Sequence, residues 1–238
     1  MEGSLNTKEQ NERLSLLYYL DYQPIVQRGT LPNERYREFE VLLRKHSTKK
    51  FPYFEFQNFT SNEEENEAFL NWFSYKLLEK IKANSEVTFS INIDPIQWNY
   101  KATYDFVESL QPYASQIIIE LTEHKSKHDY NIKKVILFLK SKDFCVALDD
   151  ITQGVNCLNL FVLNARQIDR IKFSLNSFDN KSKNCVKKII SIAHQYNTKI
   201  VIEQVEDKEM EEYLFGYQAD FLQGYLYSSE KCPLARKD

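Results

Sequence analysis

Residues 116–150 read QIIIELTEHKSKHDYNIKKVILFLKSKDFCVALDD, and this stretch decides the fold. Gln116–Leu121 is an apolar run of strand length, and so is Cys145–Leu148. Between them, residues 130–142 place Ile132, Val135, Ile136 and Leu139 at the spacing of a helix with one buried face. Carboxylates mark each strand's end: Glu120 within and Glu123 just after the first, Asp149 and Asp150 after the second.

The same alternation continues outward. Strand-like runs lie at Tyr18–Val26, Arg37–Arg44, Val87–Ile93, Gln167–Phe173, Lys199–Ile202 and Ala219–Leu222. Helix-period segments lie near 66–82, 99–110, 156–164, 183–196 and 207–215. The acidic run Glu63–Glu67 reads as a helix start, with a polar capping residue before it and carboxylates in the first turn. Phe69, Leu70, Phe73, Leu77, Leu78 and Ile81 then form the apolar stripe, while residues 183–196 align Val186, Ile189, Ile190 and Ala193. Eight strands interleaved with helices in 238 residues predict an α/β, TIM-like (β/α)8 barrel rather than an open sheet. The first two strands are joined by a short loop containing Gly29, Pro32 and Asn33. A parallel crossover needs a dozen or more residues, so one strand of this pair is antiparallel.

Hydrophobic residues at 42% and charged residues at 27% are a globular mix, against disorder or a fibre. A net charge of −3 argues against a DNA or RNA polymer as partner. No apolar run approaches the roughly 18–20 residues that cross a bilayer, and the polar first fifteen residues are no signal peptide. The expectation is a soluble cytoplasmic chain without a membrane partner. Cys145, Cys157, Cys185 and Cys232 have no zinc-ligand spacing and read as reduced, mostly buried thiols. His124 and His128 stand four apart in a Lys-rich segment that reads as solvated loop.

In an α/β barrel the site forms at the C-terminal ends of the strands. There the runs carry Glu40, Asn92, Glu120 with Glu123, Asp149 with Asp150, Lys172, Glu203 with Glu206, and Gln223. A lone carboxylate at a strand end is usually a cap or an ion-pair partner; seven successive polar strand ends are harder to dismiss. Gathering carboxylates in a protein interior is costly unless cations neutralise them. All-oxygen donors suit Mg²⁺ or Mn²⁺ better than zinc, and two such ions are a recurring device for hydrolysing phosphate diesters.

These residues resemble the EAL domain, a bacterial cyclic di-GMP phosphodiesterase family, from about Leu17 to Ser229. Tyr22-Gln23-Pro24-Ile25 resembles its opening YQPI, and Glu40-Val41-Leu42 its signature, spelled EVL. Asn92 stands in the N-L position, Glu120–Glu123 is the ELTE segment, and Asp149-Asp150 opens the DDFGTG string. Asp169–Lys172, Glu203–Glu206 and Gln223-Gly224-Tyr225 resemble D-x-(L/I)-K, EGVE and QGY. The resemblance implies residues 1–16 as a lead-in and 17–238 as a single EAL domain; with 238 residues so filled, no sensory, transmembrane or GGDEF-like segment is expected beside it.

It also implies hydrolysis of cyclic di-GMP to linear pGpG with two ions, Mg²⁺ or Mn²⁺. Glu40, Asn92, Glu120 and Asp149 would hold one ion, with Asp149, Asp150 and Glu203 at the other. Lys172 would sit near the attacked phosphate, and Glu203 and Glu206 would complete the catalytic set. Gln23, Leu42, Arg44 and Gln223 would contact substrate, and Glu123 would anchor the loop after the paired aspartates. Members commonly form homodimers near that loop, where this chain offers Val155, Leu158, Leu160, Phe161 and Leu163. The chain departs from the family pattern at Ile151-Thr152-Gln153-Gly154, which loses one of two glycines, and at Ser174 and Gln204, where Asp and Gly would stand. The alternative these departures raise is a catalytically impaired domain that binds cyclic di-GMP or a protein partner.

Overall fold

A computed structural model describes residues 7–30, 36–124, 131–151, 154 and 156–227. Eight strands close into a barrel in chain order: β1 Tyr18–Gln27, β2 Glu38–Lys45, β3 Thr88–Ile93, β4 Ile117–Leu121, β5 Cys145–Leu148, β6 Arg170–Ser174, β7 Lys199–Glu203 and β8 Phe221–Gln223. Strands β2 to β8 run parallel, while β1 is antiparallel to both of its neighbours. Around them lie α1 Thr7–Leu17, α2 Tyr53–Phe59, α3 Glu63–Ala83, α4 Lys101–Leu110, α5 Ile132–Ser141, α6 Leu158–Asn164, α7 Asn180–Gln195 and α8 Lys208–Gly216. The TIM-like barrel with one antiparallel strand expected from the alternation is therefore the observed fold.

The acidic run opens α3 as expected. Asn62 Oδ1 accepts from the Glu65 backbone N–H at 3.0 Å, and three glutamates fill the first turn, where the helix dipole favours them. Glu63 also accepts from the backbone N–H groups of Lys101 and Ala102, tying two helix starts together. The stripe Phe69, Leu70, Phe73, Leu77 and Ile81 is buried, and Trp72 joins it. Helix α1 packs on this helix, where the Trp72 indole N–H donates to Ser15 Oγ at 3.1 Å.

Two strands begin two or three residues later than their apolar runs. Residues 167–169 precede β6 because Asp169 is a staple: its carboxylate accepts from Val146 N–H and from Lys140 Nζ. Asp220 does the same before β8, accepting from Ile200 N–H and Lys199 Nζ. Helix α2 was not expected. Phe51, Tyr53, Phe54, Phe56 and Phe59 put aromatic rings on several sides of one short helix and its lead, which blurs the periodic signal. The thiols also correct the reading: Cys157 and Cys185 are exposed, and Cys145 is half-buried with its thiol pushed up to about 11 by burial. Cys185 lies off the buried α7 face of Val186, Ile189, Ile190 and Ala193, and Cys157 is the N-cap of α6. Cys232 and His128 lie outside the described residues. No helix among the described residues is long and apolar enough to cross a membrane.

Inside the barrel, side chains alternate in layers. At the N-terminal end, Arg170 of β6 makes a two-pronged ion pair with Glu38 of β2 across the interior, and its guanidinium stacks 4.1 Å from the Phe221 ring. Both members are nearly out of solvent, so removing one leaves an uncompensated charge. Glu38→Ala is predicted to cost about 3–5 kcal/mol, read as a lowered urea midpoint with an unchanged slope.

Candidate active site

Two residues beyond Glu38 and Arg170 on the same strands come Glu40 and Lys172, one layer nearer the C-terminal end. The period-two alternation brings Asn92, Glu120, Asp149, Glu203 and Gln223 to the same level. Lys172, 1% exposed, stands at their focus. Its ammonium lies 3.0 Å from Glu40 Oε2, 2.9 Å from Glu120 Oε2, 2.9 Å from Glu203 Oε1 and 3.3 Å from Asp149 Oδ1. An ammonium has three protons, and four carboxylates surround it. Asp149 Oδ1, the most distant, is left buried without a hydrogen-bond donor.

The outer partners orient this cluster. Glu40 accepts from Asn92 Nδ2 at 2.6 Å and from Gln223 Nε2 at 2.6 Å, and Gln223 Nε2 also reaches Gln23 Oε1 at 3.1 Å. Glu203 is held from both sides, by Lys172 and by the Ser174 hydroxyl at 2.8 Å. Ser174 and Asn156 are positioning residues that sequence reasoning did not single out for a role. Asn156 Nδ2 donates to the carbonyls of Leu121 and Asp149, fastening the end of β5 to β4. The return of the loop needs Gly154, at φ +51°, because a Cβ there would stand 1.8 Å from the Glu123 carbonyl oxygen. Glu123 thus meets that loop through its backbone. Thr152, Gln153 and Val155 lie outside the described residues.

Burial sets the protonation of this cluster. It pushes Glu120 up to about 7, against the pull of Lys172, with Glu40 and Glu203 adding repulsion. It also raises Asp149 well above the usual carboxylate range. Glu40 is buried too, but Lys172 and the hydrogen bonds from Gln223 and Asn92 outweigh burial and hold its carboxyl low. Burial disfavours the Lys172 charge, yet the surrounding carboxylates raise its pKa well above the ordinary value.

The remaining expected residues divide between two adjoining cavities. Gln23, Glu40, Leu42, Arg44, Glu203, Glu206 and Gln223 line a cleft of about 910 Å³. Asn92, Glu123, Asp149 and Asp150 line a smaller cavity of about 230 Å³, with Phe51, Phe56, Phe69 and Phe73 as its apolar wall. Leu42 borders both, and Lys172 and Glu120 are buried beneath. Arg44, Glu206 and Asp150 stand apart from the ammonium-centred cluster; Arg44 Nε faces Asp21 at 3.8 Å. His124 is exposed, as expected, but its ring is tied to Asp94 at 2.6 Å, which raises its pKa despite partial burial. Sequence reasoning also missed Lys76 and Lys80 on the cleft rim, beside Tyr225 of the QGY string.

Whether a hard cation suits these donors is answered by the orphaned oxygens. Asn92 Oδ1, Glu120 Oε1, Asp149 Oδ1 and Asp150 Oδ1 are all buried without a hydrogen-bond partner. Buried oxygens left this way are costly, and a divalent ion is the partner that matches an all-oxygen set. Among the described residues, however, no three His, Cys, Asp or Glu side chains surround one shared cation position. The carboxylates converge on Lys172 instead.

Removing that ammonium gives a signed prediction. In Lys172→Met the carboxylates lose their cation and face one another, so the folded-state pKa values of Glu120 and Asp149, already raised, rise further above the unfolded ones. Stability is then retained below the ordinary carboxylate range and lost as pH climbs through 7. Melting temperatures of metal-free protein check this: the loss relative to the parent is small near about pH 5 and larger near about pH 8.

Comparison with known proteins places this arrangement. The chain is 27% identical over 226 residues to "Probable cyclic di-GMP phosphodiesterase PdeN" of Escherichia coli, covering 89% of this chain and 43% of that protein. It spans less than half the length of the curated relatives it matches. Among solved structures, the PaMucR phosphodiesterase in complex with c-di-GMP superposes with a TM-score of 0.71 at 21% identity, covering 90% of this chain and 96% of that one. Klebsiella pneumoniae BlrP1, in a manganese and cyclic di-GMP complex, gives 0.71 at 22% identity over 89% of this chain and 55% of that one. The family described as EAL domain matches residues 10–230, nearly the whole described barrel with every polar strand end in it. The chain belongs to the EAL domain family.

Proposed function

We propose that this chain is a metal-dependent phosphodiesterase that hydrolyses cyclic di-GMP to linear pGpG. The observation that carries the reading is the set of orphaned buried oxygens on Asn92, Glu120, Asp149 and Asp150, placed beside a cleft whose wall holds Gln23, Leu42, Arg44 and Gln223. The similarity to PdeN, a probable cyclic di-GMP phosphodiesterase, and to PaMucR, a phosphodiesterase in complex with c-di-GMP, supports the substrate, and the manganese in the BlrP1 complex supports a bound metal.

In this reading Glu40, Asn92, Glu120 and Asp149 hold one Mg²⁺ or Mn²⁺, and Asp149, Asp150 and Glu203 hold a second. Bound there, the ions neutralise the carboxylates and supply Lewis acidity to the phosphate and the attacking water. Every other part of the task falls to the chain. Arg44 faces the cleft with a guanidinium suited to a phosphate oxygen, and Gln23 and Gln223 present a linked amide pair to the ligand. Lys172 carries positive charge under the cleft, able to stabilise the charge that grows on phosphorus oxygens. Glu203, steadied by Ser174, is placed to take a proton from water, with Glu206 on the same wall. Glu123 abuts the loop that follows Asp150 and anchors it.

The domain assignment is 17–238, with the preceding residues as a lead-in whose helix α1 packs onto α3. A homodimer through the segment after Asp150 is part of the same proposal. On α6, Leu163 is 82% exposed beside the half-buried Leu158 and Leu160, whereas Phe161 belongs to the core.

One observation favours a second reading, a receptor that binds cyclic di-GMP without cleaving it. The carboxylates are drawn onto Lys172, and no three of them form a shared cation position among the described residues.

Purified protein incubated with cyclic di-GMP and Mn²⁺ decides between these readings by chromatography for pGpG. The enzyme predicts product that EDTA abolishes, and a loss of at least about 100-fold in Glu40→Ala with the melting transition intact. Binding without product favours the receptor, and unchanged turnover in Glu40→Ala contradicts the metal assignment.

A further inference from the structure

Among the described residues, six non-glycine residues adopt positive φ: Lys49, Asp143, Asp150, Asn197, Gln204 and Gln218. Four of them have ordinary reasons. Asp143, Asn197 and Gln218 follow the ends of α5, α7 and α8, where a left-handed residue closes the last turn. Lys49 closes a similar turn, donating its backbone N–H to the Lys45 carbonyl at 2.8 Å. The remaining two stand at C-terminal strand ends facing the site: Asp150 after β5 and Gln204 after β7. Aspartate tolerates this conformation better because its short side chain can hydrogen-bond locally; glutamine has no such relief.

The loop imposes the conformation on Gln204 rather than the reverse. Val205 is fully buried, its N–H donates to Gln223 O at 3.0 Å, and its carbonyl accepts from Leu226 N–H at 3.1 Å. Gly224 lies so close that a Cβ there would be 2.2 Å from the Val205 carbonyl oxygen. With residue 205 pinned, position 204 is held at φ +62°, where glycine costs nothing and glutamine is strained. The Gln204 side chain is exposed on the wall of the large cleft between Glu203 and Glu206, and its amide makes no hydrogen bond to the described residues. A strained backbone bearing an uncommitted amide in a ligand cleft is a cost with no return inside the folded chain.

We infer that Gln204 is a substrate-binding residue: its carboxamide projects from the end of β7 and hydrogen-bonds the bound cyclic dinucleotide. The inference rests on the cyclic di-GMP reading and adds to it a contact that a glycine at this position cannot make. The amide donates and accepts at once, which suits the mixed polar edge of a purine. It touches neither Lys172 nor the orphaned oxygens, so it acts on binding and not on the chemical step.

Gln204→Gly removes the amide and the strain together. Calorimetric titration with cyclic di-GMP in EDTA, Mn²⁺-dependent kinetics and a melting curve are compared with the parent. The expected result is a Kd and a KM raised about 3- to 10-fold, the worth of one hydrogen bond, with kcat unchanged and a melting temperature equal or higher. Equal affinity in the two proteins overturns the Gln204 assignment while leaving the cyclic di-GMP reading intact. So does a lowered melting temperature, which makes Gln204 structural. A parent protein that neither binds nor cleaves cyclic di-GMP overturns that reading, and this inference with it.

Discussion

One lysine among four carboxylates governs this molecule. Lys172 lies at the centre of the barrel's C-terminal end, within 3.3 Å of Glu40, Glu120, Asp149 and Glu203. Its single charge cannot balance four negative ones, so burial leaves Glu120 titrating at about 7 and Asp149 raised well above its usual range. The cluster is therefore under-neutralised by construction, and added positive charge is what it lacks. That deficit links the fold to the chemistry: a closed barrel forces polar strand ends into a small volume, and only cations make the concentration tolerable.

The barrel supplies the rigidity that such a cluster needs. Each carboxylate sits on a different strand or, for Asp149, just past the end of one, and the ladder fixes the register; Asn92 is paired with Glu120, Gln23 with Glu40 and Ser174 with Glu203. One layer below, the Arg170–Glu38 pair and Phe221 fill the other end, so the interior is ionic at two levels. Loops contribute what strands cannot. Asn156 ties the end of β5 to β4, Gly154 stands against the Glu123 backbone, and Gly224 presses on Val205 to set the turn after β7.

Much of this was legible in the sequence because strand ends follow a simple rule. Short apolar runs located all eight strands, and the polar residue at each end named the cluster. Glu40, Asn92, Glu120, Asp149, Lys172, Glu203 and Gln223 do converge. What failed depended on contacts between distant residues. The delayed starts of β6 and β8 come from Asp169 and Asp220 turning to staple neighbouring strands, which no local pattern encodes. Helix α2 hid among aromatic residues on several of its sides. Ser174 was read only as a missing aspartate, although its hydroxyl gives Glu203 a donor where a second carboxylate would repel it. That Lys172 would take the middle of the cluster was also not evident, since only the closed barrel sets its distance from four other strands.

We propose that these carboxylates form a cation site, held together by Lys172 when no divalent ion is bound. Titrating Mn²⁺ into metal-free protein near pH 7, in two buffers of different ionisation enthalpy, counts the protons exchanged on binding. Divalent charge favours ionised carboxylates and lowers their pKa values, so Glu120 and Asp149 give up protons. The account predicts saturable binding with a net release on the order of one proton, lost in Asp149→Asn. Saturable binding with no proton release, or release unchanged in that variant, contradicts it.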